Sequence, residues 1–197
     1  MSTTPADAAV IEAPPRSWPL RELIILALIA ALVVVSKMVL RMPLKIPAHN
    51  WFVVIALLVV GRGLIRRPGV GTAMALVAGV LATFLVPSEE GPLLWLKYAA
   101  AGAALDLMAW VIRERWENLA YAGLAGGVAL SAKLVTDLAV AVALRLPTAL
   151  IVAGLGISAI AHVAFGVGGG VAGAFVIQRL ERTGLPAFRR LRKGTSG

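Results

Sequence analysis

The sequence predicts an all-α fold, an integral membrane bundle of six transmembrane helices with the N and C termini cytoplasmic. Three observations carry that expectation. The chain of 197 residues is 59% apolar and only 15% charged, against roughly 45–50% and 25% for a globular domain. Its apolar residues gather in long runs, several near the about 20 residues that cross a bilayer core, where a soluble helix would show one wet face per element. Its cations sit at the ends of those runs, and they are unequally divided between alternate ends.

Taken in order, residues 1–19 hold Asp7, Glu12 and three prolines before Arg16, with no apolar core. They read as a disordered cytoplasmic leader rather than a cleavable signal peptide. The six-helix domain is expected over 20–180. Its first helix runs from Leu20 to Leu40, and two prolines in the loop Arg41 to Asn50 forbid its continuation. The second span, Trp51 to Leu64, is short for a full crossing and closes on Arg62, Arg66 and Arg67, with a turn at Pro68-Gly69. The third covers Val70 to Val86. A loop from Pro87 to Pro92 follows, with Ser88 as a candidate cap. The fourth helix spans Leu93 to Ile112, the fifth Leu119 to Leu144, and the sixth begins at Ala149 and reaches Ile177. Residues 181–197 form a basic cytoplasmic tail.

The cations fix the expected orientation. With an inside N-terminus, the inner segments hold thirteen Lys and Arg and the outer loops three, namely Arg41, Lys45 and Arg145. That bias requires an even number of crossings, so a re-entrant second span, giving five, is disfavoured. The formal net charge of +9 follows this topology and suits anionic headgroups of a lipid bilayer in the cell membrane. It does not form the basic face that nucleic-acid binding needs.

Several function classes drop out. The absence of cysteine removes disulfides, thiolate metal sites and cysteine nucleophiles. No P-loop, nucleophile elbow or zincin helix occurs, so the chain neither hydrolyses ATP itself nor presents a familiar catalytic motif. No cofactor is called for. Two halves with matching broken helices, common in secondary transporters, are not evident.

Ionisable residues within spans are costly and mark cavities or partners. Lys37, Lys97, Lys133 and Asp137 fall between the midplane and the outer surface, with His162 near the middle of helix six and Asp106 in the inner half of helix four. Each has a plainer reading. Lys133 and Asp137, four apart, can neutralise each other. Lys37 and Lys97 can reach up to outer headgroups. Asp106 can serve a partner on a neighbouring helix, and His162 can be a packed, hydrogen-bonded histidine with no second ligand at metal-binding spacing. His49 and Asn50 either line a lid or cap helix two.

Small residues form a second pattern. Ala27 and Ala31, with Ala30 beside them, make a small-xxx-small pair on helix one, and Gly166-xxx-Gly170 and Gly169-xxx-Gly173 do so on helix six. Such pairs let helices approach closely in lipid. Lys37 lies roughly 80° around the helix from Ala27 and about 120° from Ala31, so helix one offers alanines to one neighbour and its lysine to another.

The stretch Ala27-Leu28-Ile29-Ala30-Ala31-Leu32-Val33, leading through Lys37 to Pro43-Leu44-Lys45-Ile46-Pro47, resembles the opening of substrate-binding S-components of energy-coupling factor (ECF) transporters. So does Gly61-Arg62-Gly63-Leu64 with Arg66-Arg67-Pro68-Gly69-Val70-Gly71, followed by a glycine-dotted third helix. The likeness covers residues 20 to 180. It implies a subunit that captures a vitamin or similar micronutrient from outside under loops one, three and five, with Arg41 to Asn50 as a matching lid. It further implies that the alanine motif docks on a transmembrane coupling protein driven by two ATPase subunits. The nickel and cobalt branch begins with a histidine after the initiator methionine, whereas Ser2 stands here.

The expected function is therefore a non-enzymatic substrate-capture subunit of an ECF-type ABC importer. Its expected substrate-binding residues are Lys37, Arg41, Lys45, His49, Asn50, Lys97, Lys133, Asp137 and His162, and its docking residues are Ala27, Ala30 and Ala31. The outer cations hint at an anionic small-molecule substrate. Two alternatives stand beside it: a non-transport scaffold or accessory subunit, and a membrane enzyme in which Asp106, Asp137 and His162 converge.

Overall fold

The computed structural model describes residues 18–39, 49–86, 93–145 and 148–183, with the backbone alone for 148–157. Every regular element among them is a helix: α1 Leu20–Val39, α2 Trp51–Leu64, α3 Val70–Leu85, α4 Leu94–Val111, α5 Leu119–Ala143 and α6 Thr148–Arg182. The sixth helix runs past the expected end at Ile177, so Arg179 and Arg182 occupy its last turn, where cations face the carbonyl end of the helix dipole. The leader up to Ser17, the loop carrying Arg41 and Lys45, Ser88 and the basic tail from Gly184 lie outside the described residues.

Contacts between helix ends define two poles. Glu22 meets Arg67, Arg66 meets Glu117, and Gln178 donates to the Glu117 carbonyl. These place the starts of α1, α3 and α5 with the ends of α2, α4 and α6, a pole called the base here. Lys37, Trp51, Lys97, Asp137 and His162 gather toward the other pole, the crown.

The second helix is the hub and touches each of the other five. Its 14 residues span about 21 Å at about 1.5 Å per residue, short of the roughly 30 Å of bilayer hydrocarbon. Val54, Ile55, Leu58 and Val59 are wholly buried. Protein rather than lipid surrounds this helix, so its length need not match the bilayer.

Close backbone approach explains the glycines. A Cβ on Gly126 would run into the Gly166 carbonyl, and one on Gly170 into that of Ala122. Gly169 and Gly173 lie instead against the carbonyls of Phe52 and Ala56 on α2. The two interleaved glycine pairs of α6 thus serve two different neighbours, and both are intramolecular packing. Between α2 and α3, Gly69 takes φ +81° with open space around it, so its backbone conformation, not crowding, selects glycine.

Polarity is inverted relative to a soluble protein. Lys37, Arg62, Lys97, Lys133, Glu22 and His162 are buried, while Phe84, Trp110 and Ile160 are 83%, 81% and 75% exposed. Among the described residues, three helical segments (Leu20–Val39, Leu119–Ala143 and Ser158–Arg182 of α6) are long and apolar enough to cross a membrane. Within helices, Ser36, Thr83, Ser131 and Thr136 return their hydroxyls to carbonyls three or four residues back, which satisfies them without water. An apolar exterior of this extent is suited to lipid. This is a membrane protein with a bundle of helices.

Candidate functional site

At the crown, α1, α2, α4, α5 and α6 each contribute side chains to one cluster. Trp51 opens α2 and is 2% exposed; its ring centre lies 4.7 Å from that of Tyr98 on α4, the rings tilted by 42°. Lys37 of α1 sets its Nζ 5.2 Å from the Trp51 ring centre and 5.3 Å from that of Tyr98. Lys133 of α5 lies 5.3 Å from the Trp51 ring. An ammonium over an aromatic face is held by the ring quadrupole, more strongly where water is excluded.

Asp137, one turn beyond Lys133, links two lysines. Its Oδ2 is 2.6 Å from Lys133 Nζ and its Oδ1 is 2.8 Å from Lys97 Nζ on α4. Lys133 Nζ also lies 3.3 Å from His162 Nε2. The other ring nitrogen, Nδ1, is 2.7 Å from the Ser158 carbonyl oxygen. A carbonyl only accepts, so Nδ1 carries the proton and Nε2 is left to accept from Lys133. The imidazole thereby links α6 to the lysine.

Lys37, Lys97, Lys133, Asp137 and His162 come together in one cluster. The lysines do not reach for headgroups: Lys37 turns inward onto aromatic rings, and Lys97 is buried against Asp137. Lys133 and Asp137 do pair, yet Asp137 also bonds across to α4, so neutralisation within α5 is only part of its role. His49 and Asn50 are half-buried at the start of α2; the Asn50 side chain makes no capping hydrogen bond, and the His49 carbonyl accepts from Phe52 N at 3.3 Å. Trp51, Tyr98 and Ser158 were not anticipated. The available signal was the adjacency of two aromatics to polar residues at helix starts, His49-Asn50-Trp51 and Lys97-Tyr98.

Asp106 belongs elsewhere. At the base its Oδ1 accepts from Arg62 Nε at 2.9 Å and from Gly71 N at 3.0 Å, while Oδ2 accepts from Thr72 N at 2.8 Å and Thr72 Oγ1 at 2.7 Å. A carboxylate of α4 therefore caps the N-terminus of α3, where free N–H groups and the helix dipole favour negative charge. Arg62 continues to Glu114 through both terminal nitrogens, and Trp116 Nε1 donates to Glu114 at 2.7 Å. An open cleft of about 730 Å³ lies here, lined in part by Arg62, Asp106, Trp110 and Glu114. Its carboxylates are already engaged by Arg62, which makes it a structural corner. The catalytic convergence of Asp106 with Asp137 and His162 does not occur, because the first lies at the base and the others at the crown.

Helix one presents two faces, as the angular spacing implies. Ala27 and Ala31 are exposed, whereas Ala30 is fully covered by the bundle. Ala30 is corrected from a docking residue to a packing residue.

The crown combines fixed cations, a bridging carboxylate and aromatic faces in a setting of low polarity. Such an arrangement offers charged hydrogen-bond donors beside an apolar ring face.

No protein-family model matches the sequence, and no curated protein matches it. Among solved structures, the chain is similar to one described as the crystal structure of an S-component of an ECF transporter. The TM-score is 0.62 with 20% sequence identity, covering 90% of this chain and 95% of that one. The bundle has the fold of an ECF transporter S-component.

Proposed function

We propose that this chain is the substrate-capture subunit of an ECF-type ABC importer, which takes up a small anionic compound such as a vitamin bearing a carboxylate. The observation that carries the reading is the crown cluster, in which Lys37 and Lys133 lie against the Trp51–Tyr98 pair and Lys97 joins them through Asp137, on a bundle with the S-component fold. Buried cations are expensive in lipid and mark a ligand or ion pathway; the three buried lysines gather at one pole, whereas the buried Arg62 at the base is paired with Asp106 and Glu114.

The orientation follows from charge. The base carries Arg62, Arg66, Arg67, Arg113, Arg115, Arg179 and Arg182, so it faces the cytoplasm and the crown faces outward in a multi-pass cell-membrane protein. His49 and Asn50, at the start of α2 beside Trp51, then stand at the site. Exposed Ala27 and Ala31 give a shallow lipid-facing strip on which a transmembrane coupling protein, driven by two ATPases, docks closely. The subunit catalyses no reaction; ATP hydrolysis belongs to the partners.

Purification of the tagged protein from gently solubilised native membranes tests this. The wild-type chain is expected to bring down a membrane coupling protein and two ATPases, and Ala27→Leu with Ala31→Leu is expected to lose them. Recovery of no ATPase with a folded wild-type chain contradicts the reading.

A further inference from the structure

We propose that Asp137 is a built-in stand-in for the ligand's oxyanion: an incoming carboxylate or phosphate group displaces Asp137 from Lys97 and takes its place. The inference rests on the crown being the ligand site. Its basis is an asymmetry in how one carboxylate is held. Oδ2 sits 2.6 Å from Lys133, four residues back on the same helix, while Oδ1 sits 2.8 Å from Lys97 across the gap between α5 and α4. Yet Oδ1 is buried and accepts no aligned hydrogen bond. Both contacts are charge pairs, and they differ in that Lys133 shares a helix with Asp137 while Lys97 stands on another.

The Lys133 side is better supported. The same ammonium also meets His162 Nε2 at 3.3 Å and the Trp51 face, so those contacts hold it in place while Lys97 changes partner. Asp137 is also the accessible member of the trio, its side chain 25% exposed against 11% for Lys97 and 9% for Lys133.

Exchange avoids the main electrostatic penalty of the membrane interior. Lys97 passes from one oxyanion to another and Asp137 keeps Lys133, so no buried charge is stranded at either stage. A ligand group without negative charge, entering at the same point, offers Lys97 no oxyanion in exchange for Asp137. The device thus selects oxyanions, and it opens the α4–α5 link only when a replacement arrives.

Fluorobenzoate and inorganic phosphate serve as probes of the purified full chain in detergent, read by fluorine and phosphorus NMR, with neutral fluorobenzamide as the control. At least one of the two anions is expected to bind about tenfold more tightly to Asp137→Asn and about tenfold more weakly to Lys97→Gln, as removal of a competing or an attracting charge requires. Fluorobenzamide should distinguish neither variant from wild type. Anion affinity that is not raised in Asp137→Asn, or that survives in Lys97→Gln, overturns the inference, as does failure of both anions to bind Asp137→Asn. Infrared difference spectra of the wild-type protein with isotope-labelled aspartate need no variant to fold: phosphate or fluorobenzoate should shift an aspartate carboxylate band, and an unmoved band overturns the exchange. Partner recovery is a separate readout, so a shifted band in a chain that recruits no ATPase removes the importer reading and leaves the exchange standing.

Discussion

Arg62 on α2 and Asp106 on α4 meet at the base of the bundle, Nε to Oδ1 at 2.9 Å, and the same carboxylate holds the first amides of α3. One side chain thereby joins three helices at the pole opposite the lysine cluster. With the Arg67–Glu22 pair at 3.0 Å and the Arg62–Glu114 pair, the base is cross-linked from α1 to the α4–α5 corner.

Asp106→Asn should destabilise the bundle by about 3 kcal/mol, toward the low end for breaking a buried ion pair because Glu114 still neutralises Arg62. Thermal unfolding in detergent measures it. Ligand affinity at the crown should be nearly unchanged. An unaltered unfolding temperature would show that the Asp106 network contributes little.

Gly126→Val tests the α5–α6 contact. The added Cβ meets the Gly166 carbonyl oxygen, a backbone atom that cannot rotate away, so the cost should reach about 3 kcal/mol, at or above the usual range for overpacking. Gly69→Ala is the contrasting case: the space is open, and only the left-handed backbone is penalised, by roughly 1 kcal/mol. Equal costs in the two variants would refute the distinction between crowding and conformation.

Lys37→Met keeps the length and apolar stem of the side chain and removes the charge over Trp51 and Tyr98. Affinity for the ligand, measured by titration calorimetry, should fall at least about tenfold, equivalent to about 1.4 kcal/mol, with the fold retained. Unchanged affinity removes Lys37 from the site.

The exposed alanines predict a separation of functions. Ala27→Leu with Ala31→Leu should abolish uptake in cells while leaving binding by the purified chain within about twofold, since bulk is added only to a surface where partner helices need close approach. The same pair of changes leaving uptake intact would place the docking surface elsewhere.

Much of the architecture was legible because a membrane sorts residues coarsely. Run length and basic punctuation located all six helices, and the interval between Ala27 and Lys37 foretold that they lie on different faces, one exposed and one buried. Asp106 was expected to serve a partner on another helix, and it does. The partners themselves were not legible: Arg62 reads in sequence as one more inner cation, and only the fold reveals it 2% exposed between two carboxylates. Trp51 and Tyr98 escaped for a related reason. Aromatics at helix starts usually mark the interface with headgroups, and their meeting depends on the relative rotation of α2 and α4, which no local pattern encodes. Ala30 failed as a docking residue because adjacent positions on a helix are about 100° apart, enough to turn one alanine inward between two that face out.

The most direct test of capture at the crown is mass spectrometry of small molecules released from the purified wild-type protein and from a folded Lys37→Met, Lys97→Met variant, both expressed in native membranes. The account predicts one anionic compound, released in near-stoichiometric amount from the wild type and absent from the variant. The same small molecules in the same amounts from both proteins would contradict it.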